Sequence, residues 1–350
     1  MAENKVANVE QNEFKTTLTK VNDDYLPLIT SQLENNNITF SEYAKSCVLS
    51  AISAINTALD AQGISWNDGS LDTSNMTQVL LTVATLELNA TSTANEVYFQ
   101  IRNVSTKGAD GKAVWKKKIE LGVQSDGWDR LLSRFGRDVK KVYPHWLVRE
   151  DDEFKYPRYV GLELTPPEWQ PKGEGKFVRV VYPIQSTDGS INYYIAERAD
   201  VKKNLIAHIS NNLMNETFGI CADRYKATDE QKQKIAEKKR EVLAKAKELD
   251  LDALLDSIEF DKYISPAWKE EQSRESMIVR KMRNNVVKKI PKSFDTSLEN
   301  ELFNESVDET YKAYNDEYVV VDEEELTPLT LSDGTKVDAS TGEIKNQPEF

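Results

Sequence analysis

The segment "SRESMIVRKMRNNVVKKIP", residues 273–291, contains six basic residues and a single acidic residue, Glu275. Its apolar residues Ile278, Met282, Val286 and Ile290 recur at every fourth position, which predicts a helix that buries one stripe against the rest of the protein. The cations then occupy the remaining surface of that helix: Arg280, Lys281, Arg283, Lys288 and Lys289. Cations at fixed spacing match the phosphates of a nucleic acid, and a solvated helix face is the alternative.

The charge of the whole chain is unevenly distributed. The formal net charge is −13, and residues 293–350 alone hold sixteen acids and three lysines, which also sum to −13. Residues 1–292 are therefore neutral overall. This asymmetry indicates a body that can bind nucleic acid and an acidic tail that binds a protein partner, with a merely solubilising tail as the alternative.

Composition limits the class of protein. A chain of 350 residues allows one large or two modest domains. It has no run of eighteen apolar residues and no apolar signal region at its start, so we expect no membrane span and a cytoplasmic location. Cys47 and Cys221 are far apart in sequence and predict no disulfide framework. With only two histidines as well, a zinc site is not expected.

The periodicity of apolar residues predicts an α+β fold. Residues 12–62 and 75–88 have helical spacing, whereas residues 95–200 alternate with a period of two and predict antiparallel hairpins. Residues 200–225 and 228–256 return to helical spacing, the latter opening with a capping-box pair, Thr228 and Gln231. We therefore expect N-terminal helices in residues 1–74, a core in 75–292 with a charged helical insertion at 228–256, and an acidic tail in 293–350 that binds a partner or is disordered.

Motifs for covalent chemistry are scarce. The chain has no phosphate-binding loop of the Gly-x-x-x-x-Gly-Lys-Ser/Thr type and no Gly-x-Ser-x-Gly nucleophile motif. Asp151, Asp152 and Glu153 offer adjacent carboxylates that could hold Mg²⁺ for nuclease chemistry, although such a loop is more often only solvated. His145 and His208 each stand alone and are expected to be structural or surface residues.

A second basic segment, residues 128–143, interleaves cations with aromatic rings. Its aromatic residues are Trp128, Phe135 and Tyr143, and its cations are Arg130, Arg134, Arg137, Lys140 and Lys141. This combination suits single-stranded nucleic acid, whose unpaired bases can stack on aromatic rings. The alternative is that Phe135, with Leu131 and Leu132, belongs to the core.

The order of these features resembles the RecT family of phage single-strand annealing proteins. In the basic segment, Trp268 precedes Met277, Arg280 stands at the family's Lys position, and Pro291 follows Met277 by fourteen residues. Lys281 replaces the family's Thr. Upstream, residues 79–103 and 121–154 resemble the family's helix–turn–strand and Gly-ended helix–strand segments. The chain departs from the pattern at Asp126, where the family has Lys, and at 284–285, where Asn replaces Arg.

The resemblance implies ATP-independent binding of single-stranded DNA and annealing of complementary strands in phage recombination, inside the bacterial host. It implies no catalysis and no cofactor, with Mg²⁺ at most modulatory. It also implies self-assembly into a ring or helical filament, and recruitment of an exonuclease or a host single-strand-binding protein by the tail. The basic helix would close a DNA groove, and the predicted DNA contacts are Arg280, Lys281, Arg283, Lys288, Lys289, Arg130, Arg134, Arg137, Lys140, Lys141 and Trp128. A metal-dependent nuclease and a structural phage assembly protein remain the alternatives.

Overall fold

The computed structural model describes residues 17–107, 113–306, 329–330 and 336–337. The chain divides into two compact units, residues 1–307 and 308–350. In the second unit, the described residues are two short antiparallel strands, Leu329–Thr330 and Lys336–Val337. The rest of the predicted acidic tail beyond 306 lies outside the described residues. The first unit mixes helices with small antiparallel sheets, which confirms the α+β class.

Three N-terminal helices pack on a long hairpin. They are α1 (Thr17–Asn35), α2 (Glu42–Asp60) and α3 (Thr73–Leu86), and the side chains of Ser41 and Asp72 cap α2 and α3 by accepting backbone N–H groups. The hairpin pairs β1 (Val97–Lys107) with β2 (Ala113–Val123). Its apolar face, which includes Ile119, closes a core with the three helices. The alternation of residues 97–101 therefore predicted the buried face correctly.

The start of the predicted tail belongs to this same core. Residues 297–306 form a helix (Ser297–Ser306) that packs on α3 and β2 and buries Leu302 and Phe303. The carboxylate of Glu299 accepts hydrogen bonds from the backbone N–H groups of Asp295 and Thr296, which fixes the start of the helix. The acidic composition of residues 293–350 thus includes a segment with a packing role.

A four-stranded antiparallel sheet forms the middle of the first unit. Helix α4 (Ser125–Phe135) leads into β3 (Val139–Val142) and β4 (Trp146–Arg149). Four short strands follow: β5 (Glu153–Lys155), β6 (Arg158–Val160), β7 (Glu163–Thr165) and β8 (Glu168–Gln170). The sheet is completed by β9 (Phe177–Ser186) and β10 (Ile191–Glu197). Strand β9 is central, because it pairs with β10 along one edge and with β3 and β4 along the other.

Six α-helices follow the sheet within the described residues. They are α5 (Lys202–Leu213), α6 (Asp229–Glu248), α7 (Leu251–Asp256), α8 (Pro266–Lys269) and α9 (Glu271–Val287), and the C-terminal helix Ser297–Ser306 is α10. The capping box of Thr228 and Gln231 is present at the start of α6. The segment 228–256 is two helices and not one, since Leu249 is extended and Asp250 caps a new helix. None of the helices in the described ranges has the length and apolar composition needed to cross a membrane.

The guanidinium of Arg198 connects three of these elements. It donates to Asp252 of α7 (Nη2 to Oδ1, 2.7 Å), to Glu275 of α9 (Nη2 to Oε1, 2.8 Å) and to the carbonyl of Phe177 at the start of β9 (3.2 Å). The Arg198 side chain is 9% exposed, so these charge-assisted bonds are shielded from solvent. We call this cluster the Arg198 clasp; it fixes the beginning of α9 against the sheet.

Candidate nucleic-acid interface

Helix α9 is seated by the apolar stripe that its sequence predicts. Ile278, Met282 and Val286 are buried, and the helix contacts β9, β10 and α4. It begins just after α8, where Trp268 is also buried. The basic segment is therefore part of the folded body, with its cations held at positions that the packing determines.

Arg283 uses its charge inside the protein. Its guanidinium donates to Asp126 and Asp129 of α4, both at 2.6 Å, and to the hydroxyl of Tyr182 at 3.1 Å. Burial opposes this charge, but Asp129 and the other partners outweigh burial and hold the pKa of Arg283 above its ordinary value. The side chain is 14% exposed. Arg283 thus ties α9 to α4, and its geometry favours a structural role over a phosphate contact.

Three lysines form a poorly solvated stripe beside it. Lys281, Lys288 and Lys292 lie on one side of α9 and its C-terminal extension, with their ammonium groups against the faces of Trp268 and Trp128. The Lys288 ammonium is 4.6 Å from the centroid of Trp128. Lys292 donates to the carbonyls of Val287 (2.6 Å) and Ile290 (2.9 Å). We call these three residues the lysine stripe.

The charged forms of the three lysines in the stripe are disfavoured by their surroundings, as their lowered pKa values show. Burial, followed by the charge of Arg280, lowers the pKa of Lys281 to about 8. Burial, followed by Lys281 and Arg280, lowers the pKa of Lys288 to about 8. Burial, followed by Lys288, lowers the pKa of Lys292 to about 7. Each ammonium is thus disfavoured first by loss of water and then by its own neighbours, which is the electrostatics of a site that would gain from a bound anion.

Carboxylates of the described residues do not neutralise the accessible part of this surface. In the described part of the chain, no carboxylate lies within 4 Å of the cationic groups of Arg280, Lys281 or Lys292. Exposed Lys289 extends the positive charge toward α5, where burial and then Lys289 lower the pKa of Lys203. Within the described ranges, Arg280 and Lys281 therefore keep a charge that no carboxylate pairs with, whereas Arg274 and Arg283 of the same segment are bound to carboxylates.

Asn285 adds an unsatisfied polar group at the same place. It lies four residues after Lys281 and three before Lys288, so it shares their side of the helix. Asn285 is 3% exposed, and neither the nitrogen nor the oxygen of its side-chain amide has a hydrogen-bond partner among the described residues. A buried amide without partners costs free energy that a ligand with acceptor atoms can recover.

The second basic segment meets the first at the end of α4. The backbone N–H of Arg137 donates to the carbonyl of Pro291, and the N–H of Ser293 donates to the carbonyl of Phe135. The Arg137 side chain also donates to the hydroxyl of Ser293 (3.1 Å). Lys140 and Lys141 follow in β3 and are exposed. The structure thus places Arg137, Lys140 and Lys141 on an element joined directly to the end of the lysine stripe.

Other residues predicted in this segment are engaged elsewhere. Arg130 and Arg134 both bind the carboxylate of Glu87, at 3.2 and 2.6 Å. Trp128 is 3% exposed, contacts Phe303 edge to face and is covered by the two lysines. A ring covered in this way has no face on which a base could stack, so Trp128 instead supports the side chains of the lysine stripe. The sequence signal missed Lys292, which follows Pro291 and falls outside the apolar repeat.

The acidic loop that suggested a nuclease is occupied by hydrogen bonds. Burial works against the charge of Asp152, yet bonds from the backbone N–H groups of Arg149, Lys172 and Gly173 and from the Trp169 indole hold its pKa below the ordinary value. Glu153 pairs with Lys172. Among the described residues, no group of three His, Cys, Asp or Glu side chains could hold a metal ion. The loop therefore has the geometry of a structural turn.

Both histidines are structural in their contacts. His208 accepts a hydrogen bond at Nε2 from the backbone N–H of Ser265 (3.1 Å), and burial followed by Lys281 lowers its pKa. His145 stacks on Tyr182, with 5.2 Å between the ring centroids, and burial followed by Arg283 lowers its pKa. Both rings are therefore favoured in the neutral form.

No protein-family model matches the chain, and no curated protein matches it.

Proposed function

We propose that the protein binds single-stranded DNA through its phosphates and anneals complementary strands without nucleotide hydrolysis. The observation that supports this proposal is the lysine stripe beside Arg280. Its three lysines are poorly solvated, and no carboxylate of the described residues lies close enough to Lys281, Lys292 or Arg280 to cancel their charge. Such a group is costly in the absence of a ligand and favourable when anions return the lost solvation. A polyanionic strand supplies those anions at regular intervals.

The proposed contacts define a groove that basic helix α9 closes. Arg280, Lys281, Lys288 and Lys289 come from α9 and its C-terminal end, and Arg137, Lys140 and Lys141 from the adjoining end of α4 and β3. Contacts of this kind hold the backbone and read no sequence. The bases would stay available to test a partner strand, which is the requirement for annealing.

Annealing of this kind needs no covalent catalyst, so the proposal assigns no catalytic residue and no ATP, and leaves Mg²⁺ a modulatory role. The RecT resemblance adds the biological setting: phage recombination in the bacterial host, a ring or helical filament of subunits, and a tail that recruits an exonuclease or a host single-strand-binding protein. Repetition of weak phosphate contacts along an assembled filament would multiply the affinity of each subunit.

The test is annealing of two complementary labelled oligonucleotides by the purified protein without nucleotide. We expect wild-type protein to accelerate pairing and an Arg280→Glu/Lys281→Glu variant to lose the acceleration. The matched control is Lys234→Glu/Lys247→Glu, which makes the same charge change at exposed positions of α6. Circular dichroism and thermal melts establish that each variant is folded.

Salt dependence separates phosphate contacts from general charge effects. Each lost phosphate contact with a single strand lowers the slope of log Kd against log salt by about 0.7, so the Arg280/Lys281 variant should lose about 1.4 and the α6 control should keep the wild-type slope. Equal annealing by the two double variants would remove α9 from the mechanism. Mg²⁺-dependent shortening of the DNA would favour a nuclease, and assemblies with no DNA affinity would favour a structural protein.

A further inference from the structure

The part of the chain between β4 and β9 in sequence forms two short antiparallel ladders, one after the other, outside the central sheet. Strand β5 pairs with β8, and β6 pairs with β7 in continuation, so residues 153–170 make one hairpin that we call the arm. The arm turns at Gly161 and Leu162, because Val160 pairs with Glu163. Gly161 has φ +64°, as a type II′ hairpin turn requires at its first central residue. The segment 158–164 therefore folds back on itself.

The outer half of the arm is apolar and exposed. Leu162 at the tip is 102% exposed, Tyr159 is 72% exposed and Val160 is 64% exposed. Tyr156, at the boundary between the two halves, is also exposed. A projecting cluster of large apolar side chains is a feature of interaction surfaces.

The outer half of the arm would also be more stable if another surface packed against it. Strands β6 and β7 have three residues each and pair with one another. An isolated two-stranded ladder of this size is only marginally stable in water, and it gains order when one face packs on another surface. The exposure of Leu162 shows that the tip occupies no groove in the described part of its own subunit.

The charge of the arm favours a protein partner over DNA. Residues 156–165 contain one cation, Arg158, and one anion, Glu163, and are neutral overall. A neutral apolar tip has no attraction for phosphates, whereas tyrosine and aliphatic side chains surrounded by a few charges are typical of protein interfaces.

The same chain carries a groove that suits this tip. The end of α2 and the middle of β1 border an open surface groove of about 520 Å³, lined by Ala58, Ala61, Phe99 and Ile101 with polar residues at its margin. At this margin Arg102 forms an ion pair with Glu120 of the neighbouring strand, and both side chains are largely exposed. The arm thus carries one cation and one anion, and the margin of the groove carries one anion and one cation that could exchange their exposed pairing for these partners.

We infer that the arm of one subunit inserts Leu162 and Tyr159 into the α2–β1 groove of a second copy of this chain, with Arg158 toward Glu120 and Glu163 toward Arg102. The two surfaces differ, so the contact is heterologous and repeats from copy to copy. Such contacts produce a ring when the rotation closes and a helical filament when it does not. This inference rests on the arm and groove alone and does not depend on DNA binding.

The test begins with the mass of the protein in solution, without DNA, by size-exclusion chromatography with light scattering. We expect wild-type protein to associate and Leu162→Glu to weaken association at least tenfold. Ala61→Trp, which fills the groove from an exposed position at the end of α2, should have the same effect. The control is Ile258→Glu, which removes another exposed apolar side chain far along the chain and should associate normally.

Mixing the two variants tests the head-to-tail geometry. Leu162→Glu copies keep an intact groove and Ala61→Trp copies keep an intact arm, so the mixture should form dimers although each variant alone is monomeric. A Leu162→Cys copy mixed with an Ala61→Cys copy, both carrying Cys221→Ser, should then form a disulfide under mild oxidation. Absence of dimers in the mixture would overturn the proposed pairing.

Other outcomes are equally decisive. A wild-type protein that stays monomeric at all concentrations would overturn the inference. Leu162→Glu protein that associates normally but loses DNA affinity would assign the arm to DNA. The Arg280→Glu/Lys281→Glu variant should associate like wild type, so failure of the arm contact and failure of the proposed annealing function give different results.

Discussion

Replacing Lys281 by Arg should remove much of the pH dependence of DNA binding. Burial and Arg280 hold the pKa of Lys281 near 8, so in the absence of DNA its ammonium is mostly charged at pH 7 and mostly neutral at pH 9. Arg280 and Lys288 add positive charge from the same segment, and His208 of α5 and the Trp268 ring of α8 face it from neighbouring helices. A phosphate favours the charged form, so binding takes up a proton when the pH is high.

The magnitude follows from the same pKa. At pH 9 the solution is about one unit above it, so recharging Lys281 costs about 1.4 kcal/mol, a factor of about ten in Kd. At pH 7 the cost is negligible. Arginine stays charged throughout this range. The wild-type Kd for an oligonucleotide should therefore rise about tenfold more between pH 7 and pH 9 than the Kd of Lys281→Arg.

Fluorescence anisotropy at constant ionic strength measures both affinities. Lys234→Arg on exposed α6 provides the control and should retain the wild-type pH profile. Calorimetry in buffers of different ionisation enthalpy should show proton uptake by wild type at pH 8.5 and less by Lys281→Arg. Parallel pH profiles for wild type and Lys281→Arg would refute the reasoning, because they would show that Lys281 does not meet the phosphate.

Three further predictions concern stability. Lys281→Met should raise the free energy of unfolding by about 1–3 kcal/mol at pH 6.5, because a lysine whose folded pKa is lowered destabilises the fold while it is charged. Thermal melts should show this gain in stability shrinking as the pH rises above 8, and a gain that stays constant with pH would contradict the prediction. Arg283→Met should cost about 2 kcal/mol in urea denaturation, since it leaves the carboxylate of Asp129 with the Tyr182 hydroxyl but without its cationic partner, and an unchanged midpoint would argue against the tie between α4 and α9. Gly127→Ala should cost about 1–3 kcal/mol because the added methyl group meets backbone next to β1, whereas Gly69→Ala, which meets nothing within 4 Å, should be neutral.

Periodicity predicted the elements whose environment is simple. The alternation in residues 97–101 and the four-residue steps from Ile278 to Ile290 each correspond to one buried face, and both elements have that face buried in the structure. The capping box at Thr228 depends only on neighbouring residues, so it could also be predicted from the sequence. Such patterns need only the nearest residues along the chain.

The rest depends on contacts between distant residues. Nothing in the spacing of Arg283 distinguishes it from Arg280, yet Asp126 lies opposite only one of them. Trp128 has the composition of a base-stacking residue, and only the packing of Phe303 and the lysines shows that its faces are covered. The low pKa of Lys292 arises from burial, which the sequence does not display.

The Arg198 clasp has a consequence for how this chain can change over evolutionary time. It joins residue 198 to residues 252 and 275, so the segment that contains α5 and α6 has both of its ends held at the same place in the structure. The entropic cost of closing such a segment grows only slowly with its length. Descendants could therefore shorten, lengthen or replace α6 while the start of α9 kept its position, which makes this helix a natural place for diversification.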